Sequence, residues 1–174
     1  ELWGTHNRTN YDLSRHQEFS GVAMAYLDPE TNEKYIPYVI ESSVGCDRMV
    51  LAFICDAYTK EIVADGDVRE VLKLHPFLAP YKVAVLPLIK KKHSEYAKML
   101  TKKLNKDFMV NYDESGTIGK RYRRNDAIGT PFCITIDDET LENNTVTIRD
   151  RDTMEQIKIN VSELIDYVKD KIKF

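Results

Sequence analysis

No pair of cysteines stands at the CxxC spacing that zinc or redox chemistry uses: Cys46, Cys55 and Cys133 lie far apart in the chain. Their odd number also argues against a closed disulfide framework, and a reducing cytoplasm is the expected compartment. The histidines His6, His16, His75 and His93 show no HxxxH or mixed Cys/His spacing, so none is assigned to a metal. Long apolar runs are missing too. The longest, Met49 to Cys55, is far short of the roughly 20 residues that cross a bilayer, so no membrane partner is expected. The opening ELWGTHNRTN has neither the basic start and apolar run of a signal peptide nor an initiating methionine, and reads as the start of a piece cut from a longer chain. Internal repeats and low-complexity tracts are absent.

What is present is an ordinary globular composition. Of 174 residues, 43% are hydrophobic and 30% charged, enough for one large domain or two unequal ones. The net charge of −3 hides an asymmetry: residues 1–80 carry 7 basic and 13 acidic side chains, residues 81–174 carry 18 and 15. So mild an excess does not by itself indicate nucleic acid, and only local clustering makes that argument.

Along the chain, KYIPYVIESSV (34–44) reads as a strand entering a turn at Ser42 and Ser43. From Met49 to Tyr58 almost every residue is apolar, with no Gly or Pro, which predicts a helix buried on most sides, with Asp47 and Arg48 in its first turn. Residues 64–81 combine a turn signal at Asp65-Gly66 with Pro76 and Pro80 and are taken as the inter-domain connection. Beyond it the pattern alternates: strand YKVAVLPLI, helix HSEYAKMLTKKLNKD, strand FMVNYDE, helix TIGKRYRRNDAIG. Three strands follow (PFCITID, NTVTIRDRD, EQIKINV), then a closing helix from SELIDYVKDKIKF with Ser162 as its N-cap. The lysines Lys90, Lys91 and Lys92 read as a solvated loop before their helix. Alternation that gives way to a meander predicts an α/β fold with a mixed sheet and helices on its faces.

The string IESSVGCDRMVLAF (40–53) has the makings of an anion site: a glycine for close backbone approach, a helix N-terminus, and the planar cation of Arg48. An Asp47–Arg48 pair or a plain helix cap accounts for the same residues. This string resembles motif 3 of the class II aminoacyl-tRNA synthetases, and more narrowly the E-P-S-x-G-x-D-R pattern of the homodimeric glycyl-tRNA synthetases, with Ser42 where that pattern has proline. ELWGTHNRTNYDLSRHQ (1–17) resembles the same family's G-E-L-x-G-x-x-x-R-T-x-Y/F-D-L segment, and VLKLHPFLAPYKVAVLPL, IGKRYRRNDAIGTPF and TVTIRDRDTMEQI resemble its anticodon-binding domain.

The resemblance implies the end of a class II antiparallel-sheet catalytic domain (1–72) and a mixed-sheet α/β anticodon-binding domain (73–174). It implies ATP, with Mg²⁺, bordered by Glu1, Leu2, Gly45, Cys46, Asp47 and Arg48, and glycine lined by Glu41, Ser42, Ser43, Val44 and Gly45. It implies a homodimeric enzyme whose partner is the glycine tRNA. Adenylate formation rests on positioning and charge stabilisation, so no general base or nucleophile is assigned. A piece lacking the other family motifs is expected to be inactive alone.

In GKRYRRND, Lys120, Arg121, Arg123 and Arg124 crowd around Tyr122. Such a cluster neutralises phosphates and stacks unpaired bases, and equally makes a solvated helix face paired with Asp126, Asp150 or Asp152. The resemblance favours tRNA contact. SGTIGK is not a phosphate loop, since Glu114 stands where the first glycine belongs and Arg121 follows the lysine. The rival readings are a non-catalytic tRNA-binding module, which has no chemical need for Glu41, Ser43, Gly45 and Arg48, and a dinucleotide-binding protein, whose G-x-G-x-x-G is missing.

Overall fold

The computed structural model describes residues 2–63 and 66–173. Internal contacts divide the chain into two compact units, Glu1–Ala52 and Phe53–Phe174.

In the first unit, β1 (Trp3–Asn7) pairs antiparallel with β4 (Ile40–Val44). Between them lie α1 (Tyr11–Ser20) and the short strands β2 (Tyr26–Leu27) and β3 (Lys34–Tyr35). Gly21 ends α1 in the left-handed conformation, φ 70°, and its N–H donates to the Gln17 carbonyl, a closure that glycine makes without steric cost. Ser42 and Ser43 therefore sit inside a paired strand, not in the turn expected of them; the turn is Gly45. Helix α2 (Cys46–Ala57) follows, and the division between units falls within it. Burial on most sides is not observed: Val50, Leu51, Phe53 and Ile54 are exposed, and only Ala57 is buried. A sequence apolar on every side says that a helix needs cover, not that this stretch of chain supplies it.

The second unit opens with the antiparallel hairpin of β5 (Tyr58–Ile62) and β6 (Val68–Leu72). The expected connection at 64–81 thus contains a strand, and the Asp65 half of its expected turn lies outside the described residues. Then come β7 (Val83–Pro87), α3 (Lys90–Leu104), β8 (Val110–Tyr112), α4 (Ile118–Ala127), β9 (Phe132–Ile136), α5 (Asp138–Asn143), β10 (Thr145–Asp150), β11 (Gln156–Asn160) and α6 (Leu164–Lys171). The sheet order is β11-β10-β9-β7-β8, with β7 parallel to β8 and β9, and β10 antiparallel to β9 and β11. This is the mixed sheet the alternating pattern predicts.

Strand alternation sends Val83, Val85, Ile134, Ile136, Val146 and Ile148 to one face, where they pack with Ala97, Leu100 and Leu104 of α3 and Leu164 and Val168 of α6. Ala84, Leu86 and Cys133 point the other way, against Ile118 and Tyr122 of α4. Burial, with the Asp126 charge adding to it, pushes the Cys133 thiol up to about 12.

Three local expectations differ from the structure. Lys90–Lys92 form the first turn of α3, held there by Lys90–Glu114 (2.8 Å) and Lys92–Asp138 (2.6 Å) ion pairs. The closing helix starts at Leu164 after Glu163, and the Ser162 hydroxyl donates back to Asn160 Oδ1 (2.7 Å) instead of capping. Helix α5 lies where the sequence reading runs straight from strand to strand; Asp137 and Thr140 close a capping box around its first turn.

Candidate functional site

The first candidate site is where β4 hands over to α2. Successive strand residues face opposite ways, so the residues expected to line one pocket are sorted. Glu41 and Ser43, across from His6 and Gly4, share a face; Ser42 and Val44, across from Thr5 and Trp3, share the other. The Ser42 hydroxyl lies 3.2 Å from that of Thr5, a cross-strand bond that ties the ladder where proline has no hydroxyl to offer.

Gly45 follows the strand, and its carbonyl accepts from Met49 N (3.0 Å) in the first turn of α2. A methyl on Gly45 would lie 3.5–3.6 Å from the Cβ, Cγ and Cδ of Arg48, so the arginine stem packs on the glycine backbone. Cys46 and Asp47 are exposed in the same turn. The pairing of Trp3 with Val44 sets Leu2 at the Gly45 end of the ladder; Glu1 lies outside the described residues.

Arg8 is the residue here to which the sequence reading gave no role. Its Nε and Nη2 donate to the two carboxylate oxygens of Asp12 (2.9 and 2.8 Å), and Nε lies 3.6 Å from Glu41 Oε2. That hydrogen bond holds the Asp12 carboxyl below its usual range and the Arg8 guanidinium above its own. The i,i+4 spacing of Arg8 and Asp12 across the start of α1 was the available signal. Among the described residues no group of three or more His, Cys, Asp or Glu side chains comes together to hold a metal.

The second candidate site is α4. The helix turns Arg121, Asn125 and Asp126 inward and leaves Lys120 and Arg124 exposed, with Arg123 half-buried. Arg121 departs from the expected tRNA-facing set. It is 4% exposed, with Nη1 donating to the Pro87 carbonyl and Nε and Nη2 to the Gly116 carbonyl (3.3 and 2.8 Å). At 3.6 residues per turn, positions 121 and 123 lie about 160° apart around the helix, so 120, 121, 123 and 124 do not share one narrow face. Arg123 pairs with Asp67, and Arg124 with Asp113 (2.6 Å). A hollow of about 440 Å³ between β6 and α4 is lined by both arginines but also by Asp67 and Glu70, which dilute its positive charge.

Beneath α4 lies a buried charge network. Asp126 is fully buried and accepts from Arg149 Nη1 and Nη2 (2.8 and 3.0 Å) and from Arg69 Nη1 (3.2 Å). Arg69, on β6, also pairs with Glu61 and donates to the Arg151 carbonyl (2.8 Å). Burial works to lower the Arg149 pKa, but the Asp126 carboxylate outweighs it and the net shift is upward. This network fixes the β5–β6 hairpin to the sheet, and the hairpin belongs with it to the second unit, which begins at Phe53.

Residues 82–171 match the family model described as "Anticodon binding domain". All 174 residues are similar to proteins named glycine–tRNA ligase: that of Clostridium tetani at 59% identity, covering 37% of its length, and that of Geobacillus kaustophilus at 58%, covering 38%. The chain thus spans a little over a third of these relatives. Among solved structures, the RNA binding domain of threonyl-tRNA synthetase from Cryptosporidium parvum superposes with a TM-score of 0.66 at 22% identity, over 85% of this chain and 35% of that one, a likeness of fold alone. No described helix is long and apolar enough to cross a membrane.

Proposed function

The chain belongs to the anticodon binding domain family, and from that premise we propose that it is the distal part of a glycine–tRNA ligase, in which the second unit grips the anticodon of glycine tRNA. The first unit would supply one edge of the site where glycine and ATP form glycyl-adenylate. The carrying observation is that the glycine–tRNA ligases match the whole chain, the β4–α2 turn as well as the sheet unit. In this reading Glu41 binds the glycine ammonium, with Ser43 beside it on the same face and the Arg8 guanidinium 3.6 Å from its carboxylate. The Arg48 guanidinium, carried on a stem packed over Gly45, meets ATP phosphate or the adenine face. Gly45, Cys46, Asp47 and Leu2 border the nucleotide. Magnesium, homodimer formation and a cytoplasmic setting belong to the whole protein and are part of the same proposal; the carboxylates described here do not gather into a metal site.

The test is glycine-dependent ATP–pyrophosphate exchange by the full-length protein. Arg48→Ala is expected to lower kcat/KM for ATP by about 10- to 150-fold, the loss of one charged hydrogen-bonding group worth roughly 1.5–3 kcal/mol. Wild-type protein without glycine-dependent exchange, or an alanine variant as active as wild type, would refute the assignment.

On α4 the tRNA-facing set narrows to Lys120, Arg123 and Arg124. Lys120→Ala is expected to weaken tRNA binding and flatten the slope of log K against log salt by roughly 0.7–0.9, one released counterion fewer. An unchanged affinity and slope would remove Lys120 from the interface.

A further inference from the structure

The chain between β1 and α1 is strained. Thr9 has φ +54°, in the left-handed region where a β-branched residue is a genuine outlier. Three hydrogen bonds hold it there: its N–H donates to Asn7 Oδ1 (2.9 Å), its hydroxyl donates to the Arg8 carbonyl (2.7 Å), and its carbonyl accepts from the Val39 N–H (2.9 Å). The Arg8 N–H donates in turn to the Val39 carbonyl (2.9 Å), so the bonding between β1 and β4 continues past Asn7 and Ile40. Strain that the surrounding structure holds in place points to function.

The turn sets one side chain in a definite position. It starts α1 at Tyr11 and brings Asp12 back beside Arg8, whose Nε and Nη2 both donate to the Asp12 carboxylate. One edge of the guanidinium is thereby fixed. Glu41, on the facing strand, lies just beyond that edge, and the 3.6 Å between Arg8 Nε and Glu41 Oε2 is an ion pair but not a hydrogen bond. Arg8 therefore attracts the Glu41 carboxylate without occupying its lone pairs, which stay open to another donor. Two carboxylates against one guanidinium leave an excess of one negative charge, and a bound cation would balance it.

Stability does not explain the arrangement. The Arg8 and Glu41 side chains are 43% and 45% exposed, and ion pairs open to water contribute little to a fold. A strained Thr9 is not offset by so weak a contact.

We propose that Arg8 is a positioning residue for amino-acid binding: held by Asp12 and the Thr9 turn, it fixes the direction of the Glu41 side chain so that the carboxylate receives a primary ammonium group. The inference rests on the glycine–tRNA ligase reading, in which that ammonium belongs to glycine. A substrate without a side chain is oriented by its two charged ends alone, so the placement of Glu41 decides whether its carboxylate lies ready for reaction with ATP.

The experiment measures glycine-dependent ATP–pyrophosphate exchange by the full-length protein as wild type, Arg8→Ala, Glu41→Gln and the double variant. Arg8→Ala is expected to raise KM for glycine by about 5- to 50-fold, within the coupling found inside one ion-pair network, and to leave KM for ATP unchanged. In the Glu41→Gln protein, where the carboxylate charge is already gone, the same change should add less than about twofold. If Arg8→Ala lowers the urea midpoint, Arg8→Lys takes its place with the same split expected, because lysine keeps stem and charge but cannot fork onto Asp12. A joint rise in KM for glycine and ATP, no rise at all, or an undiminished effect in the Glu41→Gln protein overturns the positioning role and leaves the glycine–tRNA reading standing. Wild type without glycine-dependent exchange overturns both.

Discussion

Asp126→Ala is expected to cost the second unit about 3–5 kcal/mol, the penalty for removing one partner from a buried ion pair. Arg69 and Arg149 are 1% and 6% exposed. Both aim guanidinium nitrogens at the Asp126 carboxylate. Arg69 would keep Glu61 and the Arg151 carbonyl, but among the described residues Arg149 would retain only the face of Tyr122. A charge in that position has neither water nor counter-ion, and the energy of a cation over a ring, about 2 kcal/mol when desolvated, does not replace a bidentate carboxylate. Urea unfolding followed by circular dichroism checks this. With a slope of about 2 kcal/mol per molar, the midpoint should fall by roughly 1.5–2.5 M. A fall below about 0.5 M would show that the network is solvated and contributes little. The same argument predicts the sense of a rescue: replacing Arg149 together with Asp126 by apolar residues should recover much of the loss, because no orphaned charge remains.

How far these features were legible in the sequence follows from which physical rule wrote them. Strands β7, β9 and β10 and helices α3 and α4 announce themselves, because burial on one or both faces forces a period of two or 3.6 on the apolar residues. The motif Glu41 to Arg48 was legible by resemblance, and the strand-to-helix turn at Gly45 agrees with it. The partition of Glu41 and Ser43 from Ser42 and Val44 was not, since it depends on β1 pairing with β4 across more than thirty residues of sequence. The sorting of the basic cluster was hidden for a related reason. Arg121 and Arg124 look alike in composition, yet one answers the carbonyls of Pro87 and Gly116 and the other faces Asp113. Only the helix phase, set by Ile118 and Tyr122 against Ala84 and Leu86, distinguishes them. Arg69 was the least legible. A charge inside an alternating strand reads as its solvent face, and its buried partner lies 57 positions away.

Gly129→Ala is the second substitution with a large expected effect, and it probes the same attachment of hairpin to sheet without touching any charge. Gly129 follows α4 with φ +82°, and a methyl built there would lie 2.9 Å from the Leu72 carbonyl oxygen, at the end of β6. Two costs add. The left-handed backbone disfavours an L side chain by about 1–2 kcal/mol, and the contact is with backbone, which cannot swing aside as a side-chain tip does. Overpacking of this kind costs about 1–3 kcal/mol. The Gly129 carbonyl also accepts from Arg151 Nη1 (2.8 Å), whose Nη2 donates to the Leu74 carbonyl (2.8 Å). Any backbone shift that relieves the clash therefore pulls on the arginine that ties β10 to the segment after the hairpin. Together these give a loss of about 2–5 kcal/mol in urea unfolding. Gly119→Ala supplies the contrast. Its methyl meets nothing within 4 Å and it lies in α4 without a positive φ, so it should be neutral or stabilise by up to about 1 kcal/mol through helix propensity. If both variants shift the midpoint equally, the Leu72 contact is not what holds the hairpin against α4, and the attachment rests on Arg69 and Asp126 alone.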